Sequence, residues 1–300
     1  MPHHTRKSPA PGGTYLLAHF EVARVGYGAM QLRKLEADPA KAEALLRSAL
    51  ELGVDHIDTA QFYGNGFVNR MIRTVQPEDG GVVVASKVGG VHDPKGKIPV
   101  KPAQRPHELR TSVEDNLISL GMEQIPLVNL RRSDFGPGVP FEGDQIVDID
   151  DQMAEMIAMR DEGKIGSIGL SGISLEKLTR VLSADIACVQ NAYSLVSREC
   201  ENLISVCLDH GIAWVPFFPL GGAVPGWPKV TDQSKVIDIA KQLSITPSQV
   251  GLAWLLRHGE NTLLIPGTAD VGHLEENLTS ASVVLDEQAM TALNDLETRR

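Results

Sequence analysis

The chain has 300 residues, of which 42% are hydrophobic and 22% charged, which is enough apolar material for one large core. Its formal net charge is -10, and lysine and arginine are scattered rather than clustered. A protein of this kind offers no basic surface to a phosphate backbone, so the composition argues against nucleic-acid binding.

The chain opens with a polar segment rich in proline and glycine, MPHHTRKSPAPGG. No apolar signal core follows it, and no later stretch reaches the roughly 18 consecutive apolar residues of a membrane span. We therefore expect a flexible leader over residues 1–13, one domain over residues 14–300, and a cytoplasmic protein without membrane contact. Residues 14–23 suit a hairpin that closes the bottom of a barrel, and a disordered tail is the alternative.

Short apolar runs alternate with stretches of helical period along almost the whole chain. The runs are predicted as eight strands, over residues 24–30, 56–60, 82–88, 127–132, 167–172, 187–193, 213–218 and 262–268. Helices, marked by apolar residues every three or four positions and a glycine near the end, are predicted over residues 39–53, 106–121, 150–164 and 199–211. Eight such units predict an α/β protein, a single (β/α)8 TIM barrel.

An open, doubly wound sheet is the alternative architecture, and it expects a Gly-x-Gly-x-x-Gly turn after the first strand. GYGAMQ, residues 26–31, has two of these glycines but Gln31 in place of the third, and no helix is predicted to begin there. The barrel is therefore favoured, with its site at the C-terminal ends of the strands. Residues 133–149, rich in glycine, proline and acids, are predicted as a long loop at that end.

Ionisable residues collect at those strand ends. Asp58 and Tyr63 follow the second predicted strand in HIDTAQFYGNG, and Lys87 lies near the end of the third. A lysine beside a tyrosine favours the phenolate and lowers a phenol pKa that is normally about 10. Such a tyrosine can protonate a carbonyl oxygen as hydride reaches the carbon, while Asp58 holds the lysine charged. A turn aspartate beside a packed tyrosine is the ordinary alternative.

Six motifs extend this pattern: DHIDTAQFYGNG, VVVASKVG, GLSG, VQNAYS, VPFFPLGG, and LLIPGT with HLEENL. In order and spacing they resemble the aldo-keto reductase family over roughly residues 20–295. The resemblance implies a nicotinamide-dependent reductase of aldehydes or ketones. It also implies that Asp58, Tyr63 and Lys87 are three members of the family's catalytic tetrad. The fourth is usually a histidine, and Arg131 takes its place here in VNLRRSD.

The VNLR form, with PFFPLGG and IPGT, resembles the branch that contains bacterial pyridoxal reductases (pyridoxine 4-dehydrogenases). Pyridoxal carries an acidic phenolic hydroxyl beside its aldehyde, and arginine is always charged. We therefore expect Arg131 to pair with the phenolic oxygen while Tyr63 protonates the aldehyde oxygen. Neutralisation of Asp134 or another loop acid by Arg131 is the alternative. Four residues are expected as walls of the substrate pocket, with ordinary loop packing as the alternative: Gln61, Phe62, Arg132 and Phe135.

The resemblance also implies which residues hold the cofactor. Ser171 and Gln190 match the residues that bind the nicotinamide carboxamide, and Phe217 matches the aromatic residue that stacks on the ring. The usual asparagine after the serine is Gly172, so one hydrogen bond is missing or comes from elsewhere, such as Asn191. The pyrophosphate and the adenosine are expected to contact a glycine turn and a later segment, respectively: Leu220, Gly221 and Gly222, then Thr268, His273 and Asn277.

The choice between NADPH and NADH depends on one position. Recognition of a 2′-phosphate normally calls for arginine or lysine, because a charge-assisted hydrogen bond is about twice as strong as a neutral one. The matching residue here is His273, with Asp270, Glu275 and Glu276 around it. The family resemblance implies NADPH as the cofactor, and NADH remains the alternative.

The remaining signals point to no second site. Cys188, Cys200 and Cys207 have neither metal-ligand spacing nor an even disulfide framework, so they are predicted as buried thiols, and no metal is predicted. His56, two residues before Asp58, is predicted as a satisfied core histidine. No protein partner is indicated.

Two other functions stay open on sequence grounds. One is a reductase of another carbonyl or of a sugar-type substrate in a secondary-metabolite pathway, because the loops that choose a substrate are hard to predict. The other is a barrel that binds the cofactor and regulates a partner without turnover.

Overall fold

The computed structural model describes residues 9–77, 80–96, 98–136, 138–222 and 226–298. The strands are β1 (Thr14–Leu17), β2 (Phe20–Ala23), β3 (Tyr27–Gly28), β4 (His56–Asp58), β5 (Val83–Val88), β6 (Gly90–His92), β7 (Val100–Pro102), β8 (Ile125–Arg131), β9 (Ile165–Ser171), β10 (Ile186–Gln190) and β11 (Ala213–Trp214). The α-helices are α1 (Pro39–Glu51), α2 (Phe67–Val75), α3 (Pro106–Leu120), α4 (Ile149–Asp161), α5 (Leu175–Val181), α6 (Glu201–Asp209), α7 (Ser234–Leu243), α8 (Pro247–His258), α9 (Val271–Thr279) and α10 (Glu287–Asn294).

Seven strands form one curled sheet in the order β11-β10-β9-β8-β5-β4-β3, with parallel neighbours. Residues 262–266 close it. The Leu263 amide donates a hydrogen bond of 2.8 Å to the Trp214 carbonyl of β11. On the other side, the Leu264 amide donates one of 2.8 Å to the Arg24 carbonyl, and the Leu264 carbonyl accepts one of 2.8 Å from the Gly26 amide. The eighth predicted strand is present only as single bridges, because Pro266 has no N–H to extend the ladder. The predicted (β/α)8 barrel is confirmed.

Strand side chains alternate between two apolar clusters. Ile57 and Val84 point outwards and pack with the helices, whereas Ala85 points into the barrel. The inner cluster also contains Leu17 and Val22 from the antiparallel pair β1 and β2. The N-terminal hairpin therefore closes the bottom of the barrel, as predicted, and the alternative of a disordered tail is wrong.

Helix-end signals explain the predicted helices. Asp38 accepts a hydrogen bond of 3.1 Å from the Lys41 amide at the start of α1, directly before Pro39. At the C-terminal end of α3, Gly121 adopts a left-handed conformation with φ of 66°. The helices predicted at 150–164 and 199–211 are confirmed as α4 and α6 with shifted ends.

Several elements differ from prediction. β3 and β11 are two residues long, because the ladder is interrupted after each by irregular backbone at the rim. The polar segment between β5 and α3 contains the antiparallel hairpin β6 and β7, where no strand was predicted. A 3-10 helix begins at Ala29, directly after Gly28, where no helix was predicted. Both α7 and α8 lie between β11 and the closing segment.

Only part of the predicted leader is described. Residues 1–8 lie outside the described residues. The carbonyl oxygens of Pro11 and Gly13 accept backbone hydrogen bonds of 3.1 and 3.0 Å from Val25 and Arg24, so this segment runs beside the first barrel strand. The domain boundary at residue 13 stays a prediction. Within the described ranges, no helix has the length and apolar character needed to cross a membrane.

Candidate active site

Asp58 and Lys87 meet at the C-terminal ends of the adjacent strands β4 and β5. The Lys87 Nζ donates hydrogen bonds to Asp58 Oδ1 and, at 3.0 Å, to the carbonyl oxygen of Thr59. Both side chains are buried. Burial alone would lower the pKa of Lys87, but the Asp58 carboxylate and the Tyr63 hydroxyl outweigh it, and that pKa is raised. Lys87 therefore carries its proton at neutral pH.

Tyr63 reaches the same place from a turn after β4. Gly64, Asn65 and Gly66 follow it with φ of 58°, 48° and 79°, a left-handed run that glycine and asparagine tolerate. This turn carries the chain into α2 and leaves the ring of Tyr63 beside Lys87, whose Nζ lies 5.3 Å from the ring centroid. The GNG sequence thus explains how the phenol is brought back to the strand end.

Arg131, the last residue of β8, presents its guanidinium to this group. Burial lowers the pKa of Arg131, and Tyr63 acts in the opposite direction. Asp134, the expected alternative partner, instead binds Arg132 at 2.8 Å and Lys177 at 2.5 Å. Neutralisation by Asp134 is therefore wrong, and no carboxylate within the described ranges pairs with the Arg131 guanidinium.

Of the two phenylalanines expected as pocket walls, Phe62 lies against Tyr63, and Phe135 lies in the loop after β8. The ring of Phe62 stands edge-on to Tyr63 with centroids 5.1 Å apart, and its centroid lies 5.8 Å from the Arg131 guanidinium carbon. Phe135 is half-buried in the loop after β8, and its amide donates a hydrogen bond of 3.2 Å to the Gly172 carbonyl. Phe62 therefore lines the space between the phenol and the guanidinium.

Gln61 and Arg132 were also expected in the substrate pocket, and the structure directs both elsewhere. The Oε1 of Gln61 accepts hydrogen bonds from Asn69 at 2.9 Å and Ser119 at 2.7 Å, behind the strand end. The buried Arg132 guanidinium donates to Asp134, to Gln152 Oε1 and to the Val147 carbonyl. Their donors and acceptors are thus engaged in holding loops and helices together.

Ser171 and Gln190 end the neighbouring strands β9 and β10 in register. Gln190 reaches across the barrel, and its Nε2 donates a hydrogen bond of 2.8 Å to Asp58 Oδ2. The Asn191 side-chain amide accepts a hydrogen bond from the Ile173 N–H at 3.1 Å and donates one to the Ile173 carbonyl at 2.8 Å, so one of its two N–H groups is already used. The Asp58 carboxylate thus links Lys87 to Gln190, the residue expected to bind the nicotinamide carboxamide.

Comparison with known proteins identifies the family. Residues 24–298 match the sequence model described as "Aldo/keto reductase family". The chain belongs to this family. It is 37% identical over 290 residues to pyridoxine 4-dehydrogenase of Escherichia coli strain K12, covering 94% of this chain and 98% of that protein. It is 31% identical to an uncharacterized oxidoreductase of Schizosaccharomyces pombe, covering 94% and 89%.

Solved structures agree on the fold of this aldo/keto reductase. An aldo-keto reductase from Klebsiella pneumoniae in complex with NADPH superposes with a TM-score of 0.76 at 23% identity, covering 94% of each chain. The predicted family and enzyme class, an oxidoreductase, are confirmed. In the part of the chain that the structure describes, no group of three or more His, Cys, Asp or Glu side chains could hold a metal ion.

Gly172 of this aldo/keto reductase stands where the family usually has asparagine, and the structure explains it. Its φ is 66°, and a Cβ atom there would lie 2.4 Å from the Arg132 carbonyl oxygen. The Gly172 carbonyl also accepts hydrogen bonds from Asp134 at 3.0 Å and Phe135 at 3.2 Å. The loop after β8 therefore packs directly on the end of β9, in space that a larger residue would need.

Replacing Gly172 with alanine is expected to lower the free energy of unfolding by about 2 to 4 kcal/mol, from left-handed strain plus the clash with a backbone oxygen. Gly143→Ala is the matched control. Gly143 has a similar φ of 55°, but a Cβ atom there meets nothing within 4 Å, so only the strain of about 1 kcal/mol should appear. Urea unfolding measures both, and equal losses in the two variants would contradict the packing argument.

The glycine turn expected at the pyrophosphate is engaged within its own loop. The Gly221 amide donates to the Phe218 carbonyl at 2.9 Å, and the Gly222 amide donates to the Pro228 carbonyl at 3.1 Å. Phe217, just before the turn, is half-buried, with its ring edge-on to that of Phe218. Two of the three expected amides are therefore not free, and only that of Leu220 makes no backbone hydrogen bond within the described ranges.

The expected adenosine end lies at the start of α9. Asp270 caps this helix by accepting a hydrogen bond of 3.0 Å from the His273 amide, and Thr268 Oγ1 accepts one of 3.0 Å from the Asp270 amide. The pKa of Asp270 is lowered mainly by that bond and in smaller part by the His273 ring and Lys41. Lys41 is a nearby cation that the sequence did not single out, since only barrel closure brings α1 beside α9. Asn277 is half-buried further along α9.

Burial makes the three cysteines unreactive as nucleophiles. All are free thiols, as predicted. Burial raises the pKa of Cys200 and of Cys207 to about 12, and raises that of Cys188 further. They remain protonated at neutral pH, so they offer no competing nucleophile to the group around Tyr63.

Proposed function

We propose that this chain reduces an aldehyde or ketone, with Tyr63 as the general acid that protonates the carbonyl oxygen. The observation that carries the proposal is the charged Lys87 beside Tyr63, held by Asp58 at the rim of the barrel. An ammonium beside the phenol stabilises the phenolate that remains after the proton leaves, which makes the transfer easier.

The cofactor proposed is NADPH, which when bound supplies the hydride. The donors present fit a carboxamide: the amide of Gln190 has two N–H groups, one of which is used by Asp58, and the hydroxyl of Ser171 donates to no protein group in the described ranges. Phe217 provides an aromatic face in the following loop. The glycine turn fits less well, since Gly221 and Gly222 already donate within the loop.

Pyridoxal is the leading candidate substrate. An unpaired, largely desolvated guanidinium is costly unless an anion meets it, so Arg131 favours a substrate with an acidic oxygen near its carbonyl. Pyridoxal has such an oxygen next to its aldehyde. The 37% identical relative from Escherichia coli bears the name pyridoxine 4-dehydrogenase, which supports the same substrate class.

The proposal is tested by following NADPH oxidation with pyridoxal and with a panel of simple aldehydes, ketones and sugars. Turnover of pyridoxal above the panel supports pyridoxal as the substrate. Turnover only with other carbonyls would support the alternative of a different carbonyl or sugar-type substrate. Tight NADPH binding without turnover of any substrate would favour the alternative of a regulatory barrel.

Cofactor preference gives a separate prediction. His273→Arg is expected to tighten NADPH binding by about 3- to 10-fold and to leave NADH binding within about twofold, because a guanidinium adds a charge-assisted bond to the 2′-phosphate. His273→Gln, which adds no charge, is the control. Fluorescence titration with both dinucleotides measures the effect. Equal tightening for NADH would show that the arginine acts on something other than the 2′-phosphate.

A further inference from the structure

His56 is a buried histidine that the proposed mechanism does not use. Its side chain points into the barrel two residues before Asp58, and both ring nitrogens are buried without a hydrogen-bond partner in the described part of the chain. The Oδ1 of Asp55 lies 3.8 Å from Nδ1, beyond hydrogen-bond range, and accepts instead from the Ala23 amide at 2.8 Å. No described protein group therefore satisfies either ring nitrogen, and the expectation of a satisfied core histidine stays a prediction.

The ring is held in place from one side. A Cβ atom at position 26 would lie 2.3 Å from His56 Nε2, so the imidazole rests directly on the backbone of Gly26, where only glycine leaves room. Because β3 and β4 are adjacent strands, this contact fixes the ring inside the barrel. A buried imidazole so placed normally has partners, since unpaired buried polar groups are strongly disfavoured.

A second unpaired polar atom lies in the same region. Gln190 Oε1 is buried without a partner among the described residues. The orientation of this amide is set, because its Nε2 donates to Asp58 Oδ2 at 2.8 Å and a flipped amide would place two oxygens against each other. The oxygen is therefore an acceptor that no described protein group satisfies.

His56, Asp58 and Gln190 line one small cavity inside the barrel. The rest of its wall is mainly apolar and includes Leu17 of the N-terminal hairpin. The cavity leaves about 10 Å³ for the centre of a water molecule, which corresponds to about one water. Cavities of this size stay dry when they are apolar, but hold water when two to four polar groups face them.

We propose that this cavity is a binding site for a single water molecule, held by the His56 ring, Gln190 Oε1 and Asp58. The imidazole N–H donates to the water oxygen, and the two water hydrogens are donated to Gln190 Oε1 and to the Asp58 carboxylate. This assignment gives each unpaired atom except the second ring nitrogen a partner. It does not depend on the proposed function.

The water site gives His56 a role as a positioning residue. Gln190 and Asp58 come from opposite sides of the barrel, and their hydrogen bond forms the floor beneath Lys87. A water held by His56 would fix the positions of the Asp58 and Gln190 side chains through its hydrogen bonds to both. This second step rests on the proposed function, because it concerns how Asp58 and Gln190 hold the lysine and the carboxamide.

A high-resolution crystal structure of the unmodified protein tests the site. One water oxygen should lie within about 3.2 Å of a His56 ring nitrogen and of Gln190 Oε1. A dry cavity, or a His56 ring nitrogen bonded to a protein carbonyl instead, would overturn the proposal. The ¹⁵N shifts of His56 provide a second measurement, because a ring without any hydrogen bond would also contradict it.

Two variants test the positioning role. His56→Leu fills the space without donors and should expel the water, with a fall in kcat of about tenfold and a change in KM of less than about twofold. His56→Gln keeps a polar group within reach of the water and should recover most of the loss. Equal losses in both would overturn the positioning role. If no carbonyl is turned over, the proposed function fails, while the crystal structure still decides whether the water is bound.

Discussion

Replacing Tyr63 with phenylalanine is expected to lower kcat for carbonyl reduction by about 10²- to 10⁴-fold, the range that general acid catalysis contributes. The change removes only the hydroxyl, so the ring can keep its place beside Phe62 and Lys87. NADPH binding should stay within about threefold, since no donor to the proposed carboxamide pocket is lost. Steady-state kinetics and a fluorescence titration separate the two effects.

Tyr15→Phe is the matched control for this substitution. Tyr15 lies on the N-terminal hairpin at the other end of the barrel, and its exchange should leave kcat unchanged. A Tyr63→Phe variant that keeps more than about a tenth of the kcat would contradict the assignment of Tyr63 as the acid. The proton would then have to come from another group, and water would be the first to consider.

Replacing Arg131 with histidine, the residue that the family usually has, is expected to lower kcat/KM for pyridoxal by about 10- to 100-fold. The estimate follows from the loss of a charge-assisted hydrogen bond in a largely dry site, worth about 1.5 to 3 kcal/mol. Arg131→Lys keeps the charge but not the fork of donors, so an intermediate loss is expected.

Pyridine-4-carbaldehyde is the control substrate, because it has the same ring and aldehyde without the neighbouring hydroxyl. Its kcat/KM should change by less than about threefold in Arg131→His. An unchanged value for pyridoxal would remove the pairing between the guanidinium and the phenolic oxygen. An equal loss for both substrates would indicate instead that Arg131 acts on the carbonyl or on Tyr63.

Much of the fold could be predicted because its signals are local. The alternation of apolar runs with helical stretches survives in the structure, and helix ends follow residues such as Asp38 and Gly121. The closing segment, residues 262–268, was harder to predict. Its partner is the first barrel strand, from the other end of the chain, and Pro266 has no N–H to extend the pairing beyond the bridge between Val25 and Leu264. The hairpin of β6 and β7 is three residues long on each side, too short for a clear alternation.

The site was predicted in part for a similar reason. Asp58, Tyr63 and Lys87 follow from their positions at or just after strand ends, and Arg131 follows from the family resemblance. Position at a strand end does not fix where a side chain points, however. Gln61 is drawn away by partners on α2 and α3, and Arg132 by partners in the following loop and α4, none of which a local pattern reveals. The unpaired state of His56 is equally invisible in sequence, because it depends on what several strands leave unfilled.

The contacts that hold the loop after β8 limit where this chain can accept substitutions. Arg132, Asp134 and Lys177 clamp the first residues of the loop, and Gly172 leaves them the room. Substitutions at residues 139–142, beyond these contacts, should therefore reduce the yield of folded protein little. Randomising residues 132–135 would instead return mostly insoluble protein, whatever the selection imposed.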